Sequence, residues 1–388
     1  MRNLVASRFA AAKDSVMAAA AAEKYRYDDL IDLSIGDTDF ATDPRITEAA
    51  MNDALAGHTH YTSAQGDPEL IGAIRAFYAD EYQMPLEQDE IFVTTSSCFG
   101  MALCLMTILD PGDEVLLFSP YFLPYRDQVL LAGGVPIEVP TFEADGFAIN
   151  PARLEAAITG KTKALIFNNP SNPTGAAYDM DVYRVIANAA IAHDLAVLAD
   201  EIYTDYMFDF PFVPIRSLPG MPERTITLNS FSKNYIMTGW RIGYVIAPPS
   251  VTRAMMRINE NMVYTAPSIS QRAAIHALRL RKQIGDQYTA EYKRRAFYCA
   301  DRINAIPKLS VRSPQGTFYL FMNIKETGLS STEFCAKVLR EAHVAMVPGI
   351  GFGAAGEGFV RIACTTNIQR LAEAFDRIER LTFCASDE

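Results

Sequence analysis

Seven short apolar runs punctuate the middle of the chain: Ile91–Thr95, Glu114–Phe118, Val135–Val139, Ala164–Phe167, Ala196–Ala199, Thr225–Leu228 and Ile242–Ile246. Several are apolar without interruption, as strands buried on both faces are. Helical spacing fills the gaps, for example at Met101–Leu109, Leu123–Ala132 and Met180–His193. Strand–helix–strand repetition predicts an α/β fold: a mostly parallel, doubly wound sheet sandwiched by helices. Crossovers in such sheets are right-handed, and ligands bind beyond the carboxyl ends of the strands.

The pattern changes after about residue 268. Ser270–Asn304 reads as one long charged helix. Strand candidates Gly316–Asn323 and Gly358–Ala363 follow, around a helical Ser331–His343, and Thr366–Arg380 reads as a closing helix. This predicts a smaller α+β domain on which the N-terminal segment packs. The length, 388 residues, suggests two or three domains at about 150 residues each.

Composition narrows the class. Hydrophobic residues make up 49% and charged residues 21%, which excludes a disordered or fibrous chain. No run of about 18 apolar residues is present, so no membrane partner is expected. The net charge of −11 and the lack of a basic run argue against nucleic acid. The alanine-rich residues 1–24 are broken by Arg8, Lys13 and Asp14. They read as a helix on a cytoplasmic protein rather than a targeting peptide.

Two other signals lead away from metals and nucleotides. Cys98, Cys104, Cys299, Cys335, Cys364 and Cys384 form no C-x-x-C pair and read as free thiols. His58 and His60 lack a third ligand, so no metal is expected. Gly351-Phe-Gly353-Ala-Ala-Gly356 matches G-x-G-x-x-G. That fingerprint must open a helix, and the strand-like Gly358–Ala363 follows instead, so a Gly-rich loop is expected.

Four loops after predicted strands carry chemistry. Thr95-Ser-Ser-Cys-Phe-Gly100 begins a helix; its hydroxyls suit an anion site or a simple N-cap by Ser96 or Ser97. Asn168-Asn-Pro-Ser-Asn-Pro-Thr-Gly175 is a rigid turn that fixes Asn172. Asp200, in Ala199-Asp-Glu-Ile-Tyr203, ends an apolar strand, and a carboxylate buried there needs a cation. Asn229-Ser-Phe-Ser-Lys233 places a lysine just past a strand, with Arg241 eight residues later. Taken singly, each of these two cations reads as a solvated surface charge. Together the set fits a phosphorylated heteroaromatic aldehyde: lysine for a Schiff base, aspartate for the ring nitrogen, arginine and helix-start amides for phosphate.

From Leu33-Ser-Ile-Gly-Asp-Thr-Asp-Phe40 to Val360-Arg-Ile-Ala363, with Asn172-Pro-Thr-Gly175, Asp200-Glu-Ile-Tyr203 and Ser230-x-x-Lys233, the chain resembles the class I/II aminotransferases of fold type I. The resemblance implies pyridoxal 5′-phosphate, amino acid and 2-oxo acid substrates, and a ping-pong reaction through a Lys233 aldimine. It implies a large cofactor-binding domain (45–280) with a seven-stranded sheet holding one antiparallel strand. Residues 1–44 and 281–388 form the small domain, and a homodimer shares its active sites. Residue by residue, Lys233 resembles the aldimine lysine and proton shuttle, Asp200 the partner of the pyridine nitrogen, and Tyr203 and Asn172 the ligands of the phenolic oxygen. Arg241, Ser230 and the amides of Ser97 and Cys98 resemble phosphate ligands, and Phe122 the stacking ring. Tyr61, in Tyr61-Thr-Ser-Ala-Gln-Gly66, resembles the tyrosine that reaches the neighbouring subunit's phosphate. Arg361 and Gly36 resemble the contacts to the substrate α-carboxylate.

Two rivals share these motifs. A C–S β-lyase uses the same cofactor residues. A non-enzymatic effector domain of a transcription regulator carries an N-terminal helix-turn-helix unit, which has no counterpart before Leu33. Side-chain specificity is expected to depend on Ser15–Met17, Cys98 and Asn259–Tyr264. In the aspartate-type subgroup a lysine can stand at the Cys98 position; here a thiol does. Met17, Tyr264 and Phe122 suggest an apolar pocket, hence neutral or aromatic donors with 2-oxoglutarate as acceptor.

Overall fold

The computed structural model describes residues 4–5 and 26–383. The helix expected within residues 1–24, the loop Ser15–Met17 and Cys384 lie outside the described residues. The first elements are β1 (Ile31–Asp32), α1 (Pro44–Leu55), α2 (Pro68–Tyr82), β2 (Ile91–Thr94) and α3 (Ser97–Ile108). Next come β3 (Glu114–Ser119), α4 (Pro124–Leu131), β4 (Val135–Pro140), α5 (Pro151–Ala157), β5 (Thr162–Asn168) and α6 (Met180–Ala192). The sheet is completed by β6 (Ala196–Asp200), β7 (Thr225–Ser230) and β8 (Gly243–Ile246), followed by α7 (Pro249–Glu260) and α8 (Ser268–Ala305). The remainder holds β9 (Tyr319–Asn323), α9 (Ser331–Ala342), β10 (Val344–Ala345), β11 (Val347–Pro348), β12 (Phe359–Ala363) and α10 (Ile368–Glu379).

Seven strands form one sheet in the order β2-β8-β7-β6-β5-β3-β4. Only β8 runs antiparallel to its neighbours there, against β2 and β7. The expected mostly parallel sheet with one reversed strand is therefore present. Its strands are buried on both faces, which explains the unbroken apolar runs. On one face Leu116, Leu165 and Val197 pack with Tyr183 and Ile186 of α6. On the other, Val115, Leu117, Ile166 and Leu198 pack with Leu103 of α3 and Val129 of α4.

Several helix starts follow one rule. Asp43, Asp67 and Asn150 cap α1, α2 and α5 with their side chains, and proline takes the first turn each time. Helix α3 begins four residues before the expected Met101. Ser96 accepts a hydrogen bond from the Phe99 amide and so winds Ser97 and Cys98 into the helix.

A separate core joins Ile31 and Leu33 to Ile303 of α8, Leu320, Phe334, Val338, Leu371 and Phe375. There β1 pairs parallel with β10, so the N-terminal segment does pack on this unit. Strands β11, β12 and β9 make a small antiparallel sheet. Helix α10 buries Leu371, Ala374, Phe375 and Ile378 at helical spacing. The Gly351–Gly356 segment forms short 3-10 turns between β11 and β12 and opens no helix, in line with a Gly-rich loop. No described helix is long and apolar enough to cross a membrane.

Candidate active site

The loops that follow β2, β5, β6 and β7 open onto a cavity of about 480 Å³. It is lined by Gly36, Ser97, Cys98, Phe122, Asn172, Asp200, Tyr203, Ser230, Lys233, Arg241 and Arg361. The structure thus brings every candidate for cofactor or α-carboxylate binding to one place except Tyr61. That side chain is 82% exposed on the surface, with its ring against Tyr264. Tyr264 also lies outside the residues that line the cavity, whereas Phe122 lines it.

Asp200 is the last residue of β6 and is 4% exposed. Its Oδ2 accepts a hydrogen bond from the Tyr125 hydroxyl at 2.5 Å. Its Oδ1 has no hydrogen-bond partner among the described residues. Burial pushes the carboxyl up to about 6, against the opposing pull of the Tyr125 bond. A buried carboxylate with a free oxygen is incomplete without a cationic donor. The protonated ring nitrogen of pyridoxal phosphate is such a donor, so the residues present fit that group.

Of the cavity's three cations among the described residues, two lie beside Ser34 and Gly36. Lys233 Nζ donates to the Gly36 carbonyl at 2.6 Å. Arg361 is buried, and its Nη1 and Nη2 donate to Asn172 Oδ1 at 3.0 Å and to the Ser34 carbonyl at 2.6 Å. Its Nε has no partner among the described residues. The guanidinium lies 4.4 Å from the Tyr319 ring centroid and 5.0 Å from that of Phe352. The flat, held fork suits a carboxylate. Gly36 is required by close approach: a Cβ there would lie 1.6 Å from the Tyr319 hydroxyl oxygen.

A third corner collects donors for an anion. Ser97 and Cys98 begin α3, where amides have no partner in the helix. Ser230 ends β7 and Arg241 follows a short 3-10 turn, its Nη1 on the Thr238 carbonyl at 2.8 Å. Gly243 lets β8 pass beneath this corner: a Cβ would meet the Ser97 nitrogen at 2.6 Å. Cys98 is exposed at the cavity wall, yet partial desolvation by the protein around it pushes the thiol up rather than down, so it contributes no charge near neutrality.

Three contributors were not among the sequence-derived candidates. Tyr125 binds Asp200, Tyr319 packs on Arg361 and meets the Tyr203 hydroxyl at 3.3 Å, and Thr238 holds Arg241. Tyr125 lies three residues after Phe122, at the start of α4. That position next to a sheet edge was the available signal.

Burial of Asp200 has a consequence for the cofactor-free protein. An acid whose folded pKa is raised gives most stability below its unfolded pKa and loses it as pH rises to the folded value. Asp200 moves from the ordinary 3.8 to about 6, a difference worth roughly 3 kcal/mol at most. Asp200→Asn should therefore raise the thermal midpoint of the cofactor-free protein at pH 8, and the gain should fade toward pH 4. Scanning calorimetry at both pH values checks this; an equal gain at both removes the charge from the explanation.

The sequence model of a family described as Aminotransferase class I and II matches residues 28–378. The chain is 41% identical over 357 residues to an aspartate aminotransferase of Pyrococcus abyssi, covering 91% of this chain and 92% of the relative. It is 40% identical to aromatic-amino-acid aminotransferase 2 of Thermococcus litoralis, with 91% of each covered. The crystal structure of the aspartate aminotransferase from Rhizobium meliloti superposes with a TM-score of 0.92 at 36% identity, covering 97% of this chain and 98% of that one.

Proposed function

The chain belongs to the class I and II aminotransferases, and from that premise we propose that it transfers the amino group of neutral or aromatic L-amino acids to a 2-oxo acid such as 2-oxoglutarate. The family and the names of the relatives support a pyridoxal-phosphate-dependent aminotransferase acting on amino acids and 2-oxo acids, and they favour it over the lyase and effector-domain alternatives. The observation that carries the residue roles is the meeting of Asp200, Lys233 and Arg361 in one cavity.

Bound pyridoxal phosphate supplies an aldehyde and a ring that accepts electrons from the amino acid Cα. Asp200, whose Oδ1 has no partner among the described residues, would hold a proton on the ring nitrogen. Tyr203 and Asn172 bind the phenolic oxygen. The amides of Ser97 and Cys98, with Ser230 and Arg241, neutralise the phosphate. Phe122 stacks against the ring. Arg361 clamps the substrate α-carboxylate, and Gly36 leaves room beside it. Lys233 would hold the aldehyde end of the cofactor through its amine and would carry the proton taken from the donor's Cα.

The substrate preference follows from the walls. Among the described residues lining the cavity the cations are Lys233, Arg241 and Arg361, and each has a role above. Ile35, Phe122, Ile202 and Tyr319 supply an apolar lining for a donor side chain. We place the enzyme in the cytoplasm as a homodimer. The free thiols of Cys98, Cys104, Cys299, Cys335 and Cys364 suit a reducing compartment. The exposed Tyr61 suits a partner's site.

The test is a comparison of kcat/KM for phenylalanine, methionine, alanine and aspartate at fixed 2-oxoglutarate. The neutral donors should win. Aspartate ahead by more than about tenfold, or 1.4 kcal/mol, overturns the substrate reading and leaves the reaction class standing.

A further inference from the structure

Two surface elements rest on one buried amide. The ring of Tyr61 meets that of Tyr264 edge-on, centroids 5.1 Å apart. Beneath them, in the first turn of α8, Gln271 is 0% exposed. Its Oε1 accepts from the Asp67 amide at 2.6 Å. Its Nε2 donates to Thr62 Oγ1 at 3.0 Å and to the Ala266 carbonyl at 2.9 Å. Both amide hydrogens and the amide oxygen are thus engaged, tying the loop after Tyr61 to the turn after Tyr264.

Neighbouring residues tighten the same frame. Asp67 also caps α2, and Arg272 pairs with Asp53, Asp67 and Glu69. Gln65 Nε2 donates to the carbonyls of Gln88 and Ile91, both at 2.7 Å. On the other element Asn259, also buried, donates to the Tyr264 carbonyl at 2.9 Å, and its own carbonyl accepts from the amides of Met262, Val263 and Tyr264. Fixing a loop costs about 1–2 kcal/mol per residue in entropy, and burying an amide is unfavourable until its bonds are made. The object so fixed is an aromatic pair whose rings face out of the protomer.

We propose that Gln271 is a positioning residue. It holds the Tyr61 loop and the Tyr264 turn as one rigid unit, presented to the phosphate end of the site in a second copy of the chain. The inference rests on the shared-site reading of Tyr61 given above. The loops arrive pre-ordered, so less ordering entropy opposes the contact.

The experiment resolves the holoenzyme, titrates the cofactor back, and compares pyridoxal phosphate with pyridoxal, which lacks the phosphate. Gln271→Met should raise Kd for pyridoxal phosphate about tenfold, the size of a lost net hydrogen bond, and leave Kd for pyridoxal unchanged. Thr62→Val removes one of the three bonds and should move Kd the same way by less; it carries the test if Gln271→Met does not fold. Added to Tyr61→Phe, either substitution should weaken binding little further, because both act through that tyrosine. Additive losses, equal losses for both ligands, or a silent Gln271→Met beside a weakened Tyr61→Phe overturn the inference alone. A silent Tyr61→Phe overturns the shared-site reading, and the inference falls with it.

Discussion

Lys233→Ala will lower kcat/KM by at least about four orders of magnitude, more than one general base alone is worth, because one amine serves as nucleophile and proton carrier. Its Nζ lies on the Gly36 carbonyl, on the same wall as the Arg361 fork. A substrate carboxylate on Arg361 therefore brings Cα within the neighbourhood of this amine, and alanine offers no group in its stead. The Lys233 amine bonds to the Gly36 carbonyl rather than to Ser97, Cys98, Ser230 or Arg241, so the anion corner should survive in the variant. Two measurements check the assignment. Borohydride reduction of the native holoenzyme followed by peptide mapping should place the cofactor on Lys233. The same treatment of Lys233→Ala should leave no label. A label on another lysine, or turnover within about a hundredfold of the native rate, removes Lys233 from this role.

The parts of this site that the chain betrays are those where chemistry conflicts with burial. Asp200 ends a run of Ala, Val and Leu, which packing alone does not explain, whereas Lys233 alone reads as a surface charge and is legible only in combination with Asp200, Asn172 and Arg241. Arg361 was read only through resemblance, because a single cation in Phe359–Ala363 looks like an edge-strand charge, whereas it is 3% exposed. Tyr125 and Tyr319 escaped because a buried tyrosine in a helix or strand pattern is an ordinary core residue. Only the partner of the hydroxyl tells them apart, and that partner lies 75 and 116 residues away in sequence. The late placement of α3 has a similar cause. Ser and Thr favour caps and turns over helix interiors, so Ser96–Cys98 reads as loop until the bond from the Phe99 amide is seen. The fold was legible where strands are buried on both faces. It was less so along α1, α2 and α5, where the Asp-Pro and Asn-Pro pairs were the usable signal.

Asp200→Ala should lower kcat about a thousandfold, or roughly 4 kcal/mol, with a much smaller effect on the KM of the amino donor. In the proposed roles the carboxylate faces the ring rather than the substrate, and the clamp at Arg361 sets KM. The interaction strengthens as the ring takes up electrons from Cα, so it acts on the transition state more than on the bound donor. Alanine removes both the charge and the acceptor of the Tyr125 hydroxyl, leaving that donor buried at the end of β6. Tyr125→Phe separates the two effects. It leaves Asp200 charged but without the larger of the two hydrogen bonds that draw its pKa down, the other being from the backbone at Ile202. The acidic limb of the pH–kcat profile should therefore move to higher pH, with a smaller loss at the optimum. A near-normal kcat in Asp200→Ala with cofactor bound shows that the ring nitrogen is held by another group. A Tyr125→Phe profile shifted to lower pH contradicts the assigned direction of the Tyr125 bond.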